Sequence, residues 1–528
     1  MRTPQVVVVG AGIGGLTAAL ELQARGCAVT VLEAQNHAGG KIRQIAGIDS
    51  GPTVFTMRWI FDDLFEALSI DLEQSLKLSR IDLLARHRWP DGANLDLWSD
   101  LDRSADAIAA LSGSTDARRY LTFMATARRV FETLEPTFMR SPRPSVGGLV
   151  LRIARRNPAG LTAIHPFRTL AGELERTFND PRLRQLFGRF ATYCGSSPYQ
   201  SPATLMLIAH AEQCGVWLLD GGMARLATAF AETAERFGAR VRYGTMVREL
   251  LVEAGQTTGV MTAAGERIAA DAVVFNGDVS AIACGKLGNQ AVTSTATVPR
   301  TLRSQSAVTW TGRAEVAGID LAAHTVAFGP DYRDEFDAVF QRRDVPSMPT
   351  VYLHAPDRGF DSGGGIPGQQ RLFALINAPA DGDDTHRDHN ELLARAEAAL
   401  TRSLRNCGVS LTWSPREVTR TGPADFERMF PASGGALYGR VSHGWQASFA
   451  RQGTRTRLAR LYLAGGSVHP GAGVPMACLS GRLAAAEVLA DLQRLTKPGW
   501  SGATRSPLRT THADIPTAEA QTARRSPL

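Results

Sequence analysis

A chain of 528 residues with 44% hydrophobic and 21% charged content has the balance of a globular protein of two or three domains, not of a disordered chain. No run approaches the roughly 20 apolar residues of a membrane span, and the six cysteines and eleven histidines show no metal-ligand spacing. The formal charge of +7 rests on 58 basic residues, of which only Lys41, Lys77, Lys286 and Lys497 are lysine; so modest an excess suits an anionic lipid surface and does not indicate nucleic acid. The cysteines read as reduced thiols of a cytoplasmic protein. A cleavable leader is not expected, because the first strand begins near residue 5 and its removal would destroy the site described next.

Val6–Val9 is a β-branched apolar run and predicts a parallel strand covered on both faces. Gly10, Gly12 and Gly15, with Gly14 between, fill a Gly-x-Gly-x-x-Gly pattern. The first glycine permits a tight turn, the second lets backbone approach a pyrophosphate, and the third lets helix pack on strand. Leu16, Ala19, Leu20 and Leu22 predict an amphipathic helix whose N-terminal N–H groups point at that phosphate. Ala28–Leu32 predicts a second strand, and Glu33 stands 18 residues after Gly15, where a carboxylate accepts hydrogen bonds from an adenosine ribose. An acid at this point disfavours NADP. Gly39, Gly40 and Lys41 make a further glycine loop, placed to admit backbone near the ribityl or phosphate part of a cofactor.

Residues 104–215 read as mostly helical, with breaks at Pro136, Pro142, Pro144, Pro158 and Pro166. Within them, residues 128–168 carry eight arginines (128, 129, 140, 143, 152, 155, 156 and 168) interleaved with apolar residues such as Phe138, Leu149, Val150, Leu151 and Phe167. This mixture suits an interfacial patch, with arginines on lipid phosphates; an ordinary helical subdomain with a solvated basic face is the other reading. Residues 217–278 return to α/β pattern, and Val247, at the start of a strand, is placed to hold adenine by backbone contacts. Residues 300–440 alternate strands and helices without phosphate loops.

Leu461–Leu463 predicts a last strand, followed by Gly465, Gly466, His469, Gly473, Val474 and Pro475 and then a long helix with proline in its first turn. A second helix N-terminus aimed at the cofactor is what a flavin needs, because preoriented N–H groups stabilise the charge that a reduced isoalloxazine gains.

Together the Gly10–Lys41 block, Asp49-Ser-Gly-Pro-Thr53, Gly215–Gly222, His324–Tyr332, Tyr352-Leu-His-Ala-Pro356, Gly435–Gly439 and His469-Pro-Gly-Ala-Gly-Val-Pro475 resemble the bacterial FAD-dependent carotenoid desaturases of the phytoene desaturase type. The resemblance covers most of residues 4–494. Phe55–Phe65 and Pro475–Gly481 are most similar to the branch that acts at C3–C4 of 1-hydroxylated acyclic carotenoids. The resemblance implies FAD, hydride transfer from an acyclic C40 polyene of the 1-hydroxyneurosporene type, and a quinone or oxygen as terminal acceptor. It implies a role in proton transfer for Asp180 and Arg184; His469, in the glycine turn, is the other candidate. A phytoene or neurosporene desaturase, a carotene isomerase, and a non-redox lipid-binding chaperone are the alternatives.

The expected fold is α/β: a Rossmann-like FAD-binding domain with an inserted mixed-sheet substrate domain and a helical, membrane-contacting subdomain. The FAD-binding domain is assigned to residues 1–103, 216–298 and 441–496, the helical part to 104–215 and the substrate domain to 299–440. The remaining 497–528, poor in apolar residues, is expected to be disordered. The protein is expected to be peripheral (monotopic) on the inner face of the cytoplasmic membrane, without metal.

Overall fold

A computed structural model describes residues 2–142, 144–164, 167–359 and 369–495. The expected tail, Lys497, Arg143 and Pro166 lie outside the described residues.

The N-terminal strand Gln5–Val9 is the centre of a five-stranded parallel sheet in the order Leu461–Leu463, Ala272–Phe275, Gln5–Val9, Ala28–Leu32, Arg240–Arg242. Its valines alternate between two cores. Val6 and Val8 pack with helices on one face; Val7 and Val9 pack on the other against the antiparallel strands Val247–Glu253, Gln256–Thr262 and Arg267–Ala269. Helix Ile13–Ala24 lies between helices Ala224–Arg236 and Val474–Leu495. It is therefore buried almost all round and not amphipathic as its spacing predicts. Even Glu21 is buried, and it pairs with Arg482 of the C-terminal helix at 2.9 Å.

The second sheet has eight strands and is mixed. Ser306–Ala317 pairs antiparallel with Gln370–Ala378, which pairs with Val351–His354, and that with His324–Ala327. Leu83–Arg88 and Asn94–Trp98, from the first hundred residues, extend this sheet by a parallel pairing of His324–Ala327 with Leu83–Arg88. Helix His389–Asn406 covers one face through Leu392, Ala396, Leu400 and Leu404.

The helical region packs Ser114–Leu134 against Leu101–Ser112 and Leu207–Gln213 around a ladder of aromatic rings. Phe178 stacks on Phe187 at 5.1 Å, and Phe187 meets Phe123 at 5.0 Å. No helix among the described residues is long and apolar enough to cross a membrane.

Candidate functional site

The glycine loops of the two chain ends form one cleft, held by backbone against backbone. A β-carbon added to Gly14 would stand 2.8 Å from the Gly465 nitrogen, one at Gly15 2.2 Å from the Gly10 carbonyl oxygen, and one at Gly481 2.2 Å from the Gly14 carbonyl oxygen. Gly12 forms a parallel bridge with Gly39, so the second glycine loop is clamped to the first. Gly40 lies over Gly12, with the added carbon 3.4 Å from the Gly12 α-carbon. Positions so tight exclude side chains and leave the peptide N–H groups of the loop as the recognition surface. No side chain caps helix Ile13–Ala24, whose N-terminal N–H groups face this loop.

Glu33 is buried where the second strand ends. One carboxylate oxygen accepts the Ala11 N–H at 2.7 Å and the other the Gln35 N–H at 2.8 Å, which fixes the group in the cleft with lone pairs to spare. The Glu33 carbonyl accepts the N–H of Thr245, two residues before Val247, at 2.8 Å, so Val247 belongs to the same end of the cleft. Val247 itself is buried against the parallel sheet.

Lys41 reaches across to the Ala436 and Leu437 carbonyls, and burial lowers its pKa to about 8. Gly465 donates to the Ser480 hydroxyl at 3.2 Å. Gly466 accepts from Arg451 at 3.1 Å. Gly473 has φ +112°, which turns the chain into helix Val474–Leu495, where Pro475 lies in the first turn.

His469 is buried in this turn. Its Nε2 lies 3.1 Å from the Phe138 carbonyl, its ring meets the Phe138 ring at 4.9 Å, and its Nδ1 has no partner. Burial lowers its pKa to about 4. Asp180 and Arg184 lie elsewhere in the bonding pattern. Asp180 caps helix Pro181–Gly188 by accepting the Arg182 N–H at 2.8 Å, and its carboxylate pairs with the Arg182 guanidinium, not with Arg184. Arg184 donates to the Phe178 and Asn179 carbonyls at 2.8 and 3.0 Å. Among the described residues none of these bonds reaches the glycine cleft.

Two further residues, which the glycine pattern does not mark, bind the cleft together. Asn276 donates to the Gly10 carbonyl at 3.3 Å, and its side chain is the nearest neighbour of Gly12 and Gly14. Arg451, which is buried, links Gly466 to the Tyr438 and Arg440 carbonyls. Asn276 follows a buried strand, as ligand-loop residues do; Arg451 stands in no pattern.

The cleft fits a dinucleotide. The glycine loop with its uncapped helix suits the pyrophosphate, Glu33 suits the ribose, and the second helix N-terminus at Val474 suits a ring that accepts charge.

Residues 13–489 match the family described as flavin-containing amine oxidoreductases. Over 94% of its length the chain is 48% identical to the hydroxyneurosporene desaturase of Rubrivivax gelatinosus, covering 95% of that protein. Over 93% it is 42% identical to the hydroxyneurosporene desaturase of Cereibacter sphaeroides, covering 98% of it. An oxidoreductase from Methanosarcina mazei shares the fold, with a TM-score of 0.57 at 16% identity over 93% of this chain and all of that one. The chain belongs to the flavin-containing amine oxidoreductase family, and FAD is its cofactor.

Proposed function

We propose that the protein is a 3,4-desaturase of 1-hydroxylated acyclic carotenoids. The observation that carries this reading is the joining of Gly14 to Gly465 in one flavin cleft within a chain so similar to hydroxyneurosporene desaturases along its length. Bound FAD supplies the hydride acceptor. Gly10, Gly12, Gly14, Gly15, Gly39 and Gly40 admit its backbone-bound portion; Glu33 and Val247 hold the adenosine end. Lys41, Gly465, Gly466, Gly473, Val474 and Pro475 line the other end. His469 is uncharged at neutral pH, and with Nε2 donating to the Phe138 carbonyl its Nδ1 has a lone pair to offer the proton.

The substrate brings the bilayer into this reading. Each buried methylene contributes about 0.8 kcal/mol, so a carotenoid leaves lipid only for an equally apolar channel. Val146, Val150, Leu151, Leu161 and Phe167 are exposed around helix Val146–Arg156, beside the exposed Arg155. They form the proposed membrane-contacting face. The arginines add less than their number suggests, because Arg128 pairs with Glu132, Arg140 with Glu135 and Asp63, and Arg168 with Glu173. In this reading a membrane quinone or oxygen takes the electrons.

The test is incubation of the purified flavoprotein with 1-hydroxyneurosporene, vesicles and a quinone, followed by chromatography. The expected product has one more conjugated double bond. A lycopene-type product from phytoene instead would move the protein to an earlier step. A colourless protein that takes up no FAD would leave the lipid-binding chaperone.

A further inference from the structure

A chain of buried polar groups joins the cofactor loop to the eight-stranded sheet. Thr53 lies two residues after Gly51, which is packed so closely that an added β-carbon would stand 2.1 Å from the Lys41 carbonyl oxygen. The Thr53 hydroxyl is 2.7 Å from the Tyr352 hydroxyl, and that hydroxyl is 2.7 Å from His324 Nδ1. His324 is 3% exposed, stacks on His354 at 5.0 Å, and leaves its Nε2 without a partner. Burial, with His354 and Arg189 nearby, holds the imidazole pKa well below its ordinary value, so the ring is neutral. Arg189 contributes a second buried donor without a partner, its Nε. Its guanidinium lies over the Tyr193 ring at 5.3 Å, and Tyr193 donates to Glu212.

Leaving such atoms unpaired costs about 1–3 kcal/mol each, and none is consumed by the flavin cleft or by His469. A neutral His324 has two arrangements. If Tyr352 donates to Nδ1, Nε2 carries a proton and needs an acceptor; if Nδ1 donates, Nε2 needs a donor. An alcohol, donor and acceptor at once, satisfies either. The proposed substrate carries an alcohol. In a 1-hydroxylated polyene the oxygen-bearing carbon is two bonds from C3, so the site that holds C3 and C4 for oxidation must accommodate the hydroxyl beside it. A hydroxyl carried into an apolar site needs partners within it.

Resting on the proposed function, the geometry assigns the Thr53–Tyr352–His324 chain, with Arg189 beside it, as the subsite that binds the substrate's tertiary hydroxyl and sets specificity for hydroxylated polyenes. A site built to hydrogen-bond a hydroxyl discriminates against the analogue that lacks it far more strongly than an apolar pocket does.

The experiment compares Tyr352→Phe, His324→Gln and Thr53→Val with the parent enzyme on 1-hydroxyneurosporene and on neurosporene. Flavin content is used to confirm folding. Two quantities are read: the ratio of kcat/KM for the two polyenes, and the ratio of their affinities under anaerobic conditions from quenching of tryptophan fluorescence. The expected result is a drop in both ratios of about 100-fold for Tyr352→Phe and His324→Gln, and a smaller one for Thr53→Val. Flavin-loaded variants that keep the parental ratios, or that lose affinity for both polyenes equally, overturn the assignment. If the parent enzyme itself turns over no hydroxylated polyene, it is the proposed function that fails.

Discussion

At Gly14, Gly15 and Gly481 backbone lies directly on backbone, and the cofactor cleft is built from positions where any side chain would intrude. Some residues away, where Thr53 meets Tyr352 and His324, the reverse holds: two hydroxyls and an imidazole define the contact, and the backbone only carries them. The first surface recognises a group common to many proteins of this fold. The second is read through the side chains it presents, and it is the part proposed to discriminate between substrates. The two also fail differently: the cleft is broken by added volume, the buried chain by an added proton.

The largest effect is expected from volume. Gly15→Val would drive a side chain into the Gly10 carbonyl oxygen, 2.2 Å from the β-carbon position. The variant should be recovered without flavin, as read from the ratio of visible to ultraviolet absorbance. Retention of a full flavin complement would refute the packing described.

Protonation comes next. Burial lowers the pKa of His87 to about 3 and of His354 to about 4, and also holds that of His324 well below its usual value. Each folded pKa lies below the unfolded one, so between pH 6.5 and 4 the unfolded chain binds the extra protons. Stability is therefore complete above about pH 6.5 and falls as pH drops towards 4, by up to about 1.4 kcal/mol per pH unit for each histidine. Urea midpoints measured from pH 7.5 to 5 should be flat and then decline; a midpoint unchanged at pH 5 would contradict it.

Glu33 works in the cleft through its side chain. Glu33→Gln keeps the shape but removes the charge that accepts the Ala11 and Gln35 N–H groups. FAD dissociation should rise by about tenfold to a hundredfold, matching roughly 1.5–3 kcal/mol for a charged hydrogen bond. Equilibrium dialysis at several protein concentrations measures it.

The smallest effect belongs to neither region. Asp180→Asn exchanges one good helix cap for another, and the lost charge is the partner of Arg182. Stability should fall by less than about 1 kcal/mol with kcat unaltered. A fall in kcat of about 100-fold, with flavin retained, would instead give Asp180 a part in proton transfer.

The cleft was legible in the sequence because its rules are local. Val6–Val9, the glycine spacing and Glu33 occupy fewer than thirty consecutive residues, and each follows from what a pyrophosphate and a ribose require. The approach of Gly465 to Gly14 followed from the second glycine turn and the chemistry of a flavin. The buried polar chain was not legible, because His324 and Tyr352 are brought together by a pairing of His324–Ala327 with Val351–His354 that has no local mark, and Thr53 meets Tyr352 from a distant loop. Asn276 and Arg451 were missed for a similar reason: single polar residues acquire their partners only when distant loops close on them. The predicted amphipathic face of Ile13–Ala24 failed because two helices and a sheet surround it, which periodicity alone does not reveal.

The strand order of the parallel sheet has a consequence for how the protein is made. Gln5–Val9 is made before the other strands of its sheet, yet that sheet is closed only when Leu461–Leu463 arrives beside Ala272–Phe275. At synthesis rates of about 5–20 residues per second, the nascent N-terminal segment spends on the order of tens of seconds without its final neighbours. Cofactor loading is then expected late in biogenesis, and a chain interrupted before helix Val474–Leu495 is expected not to retain the nucleotide.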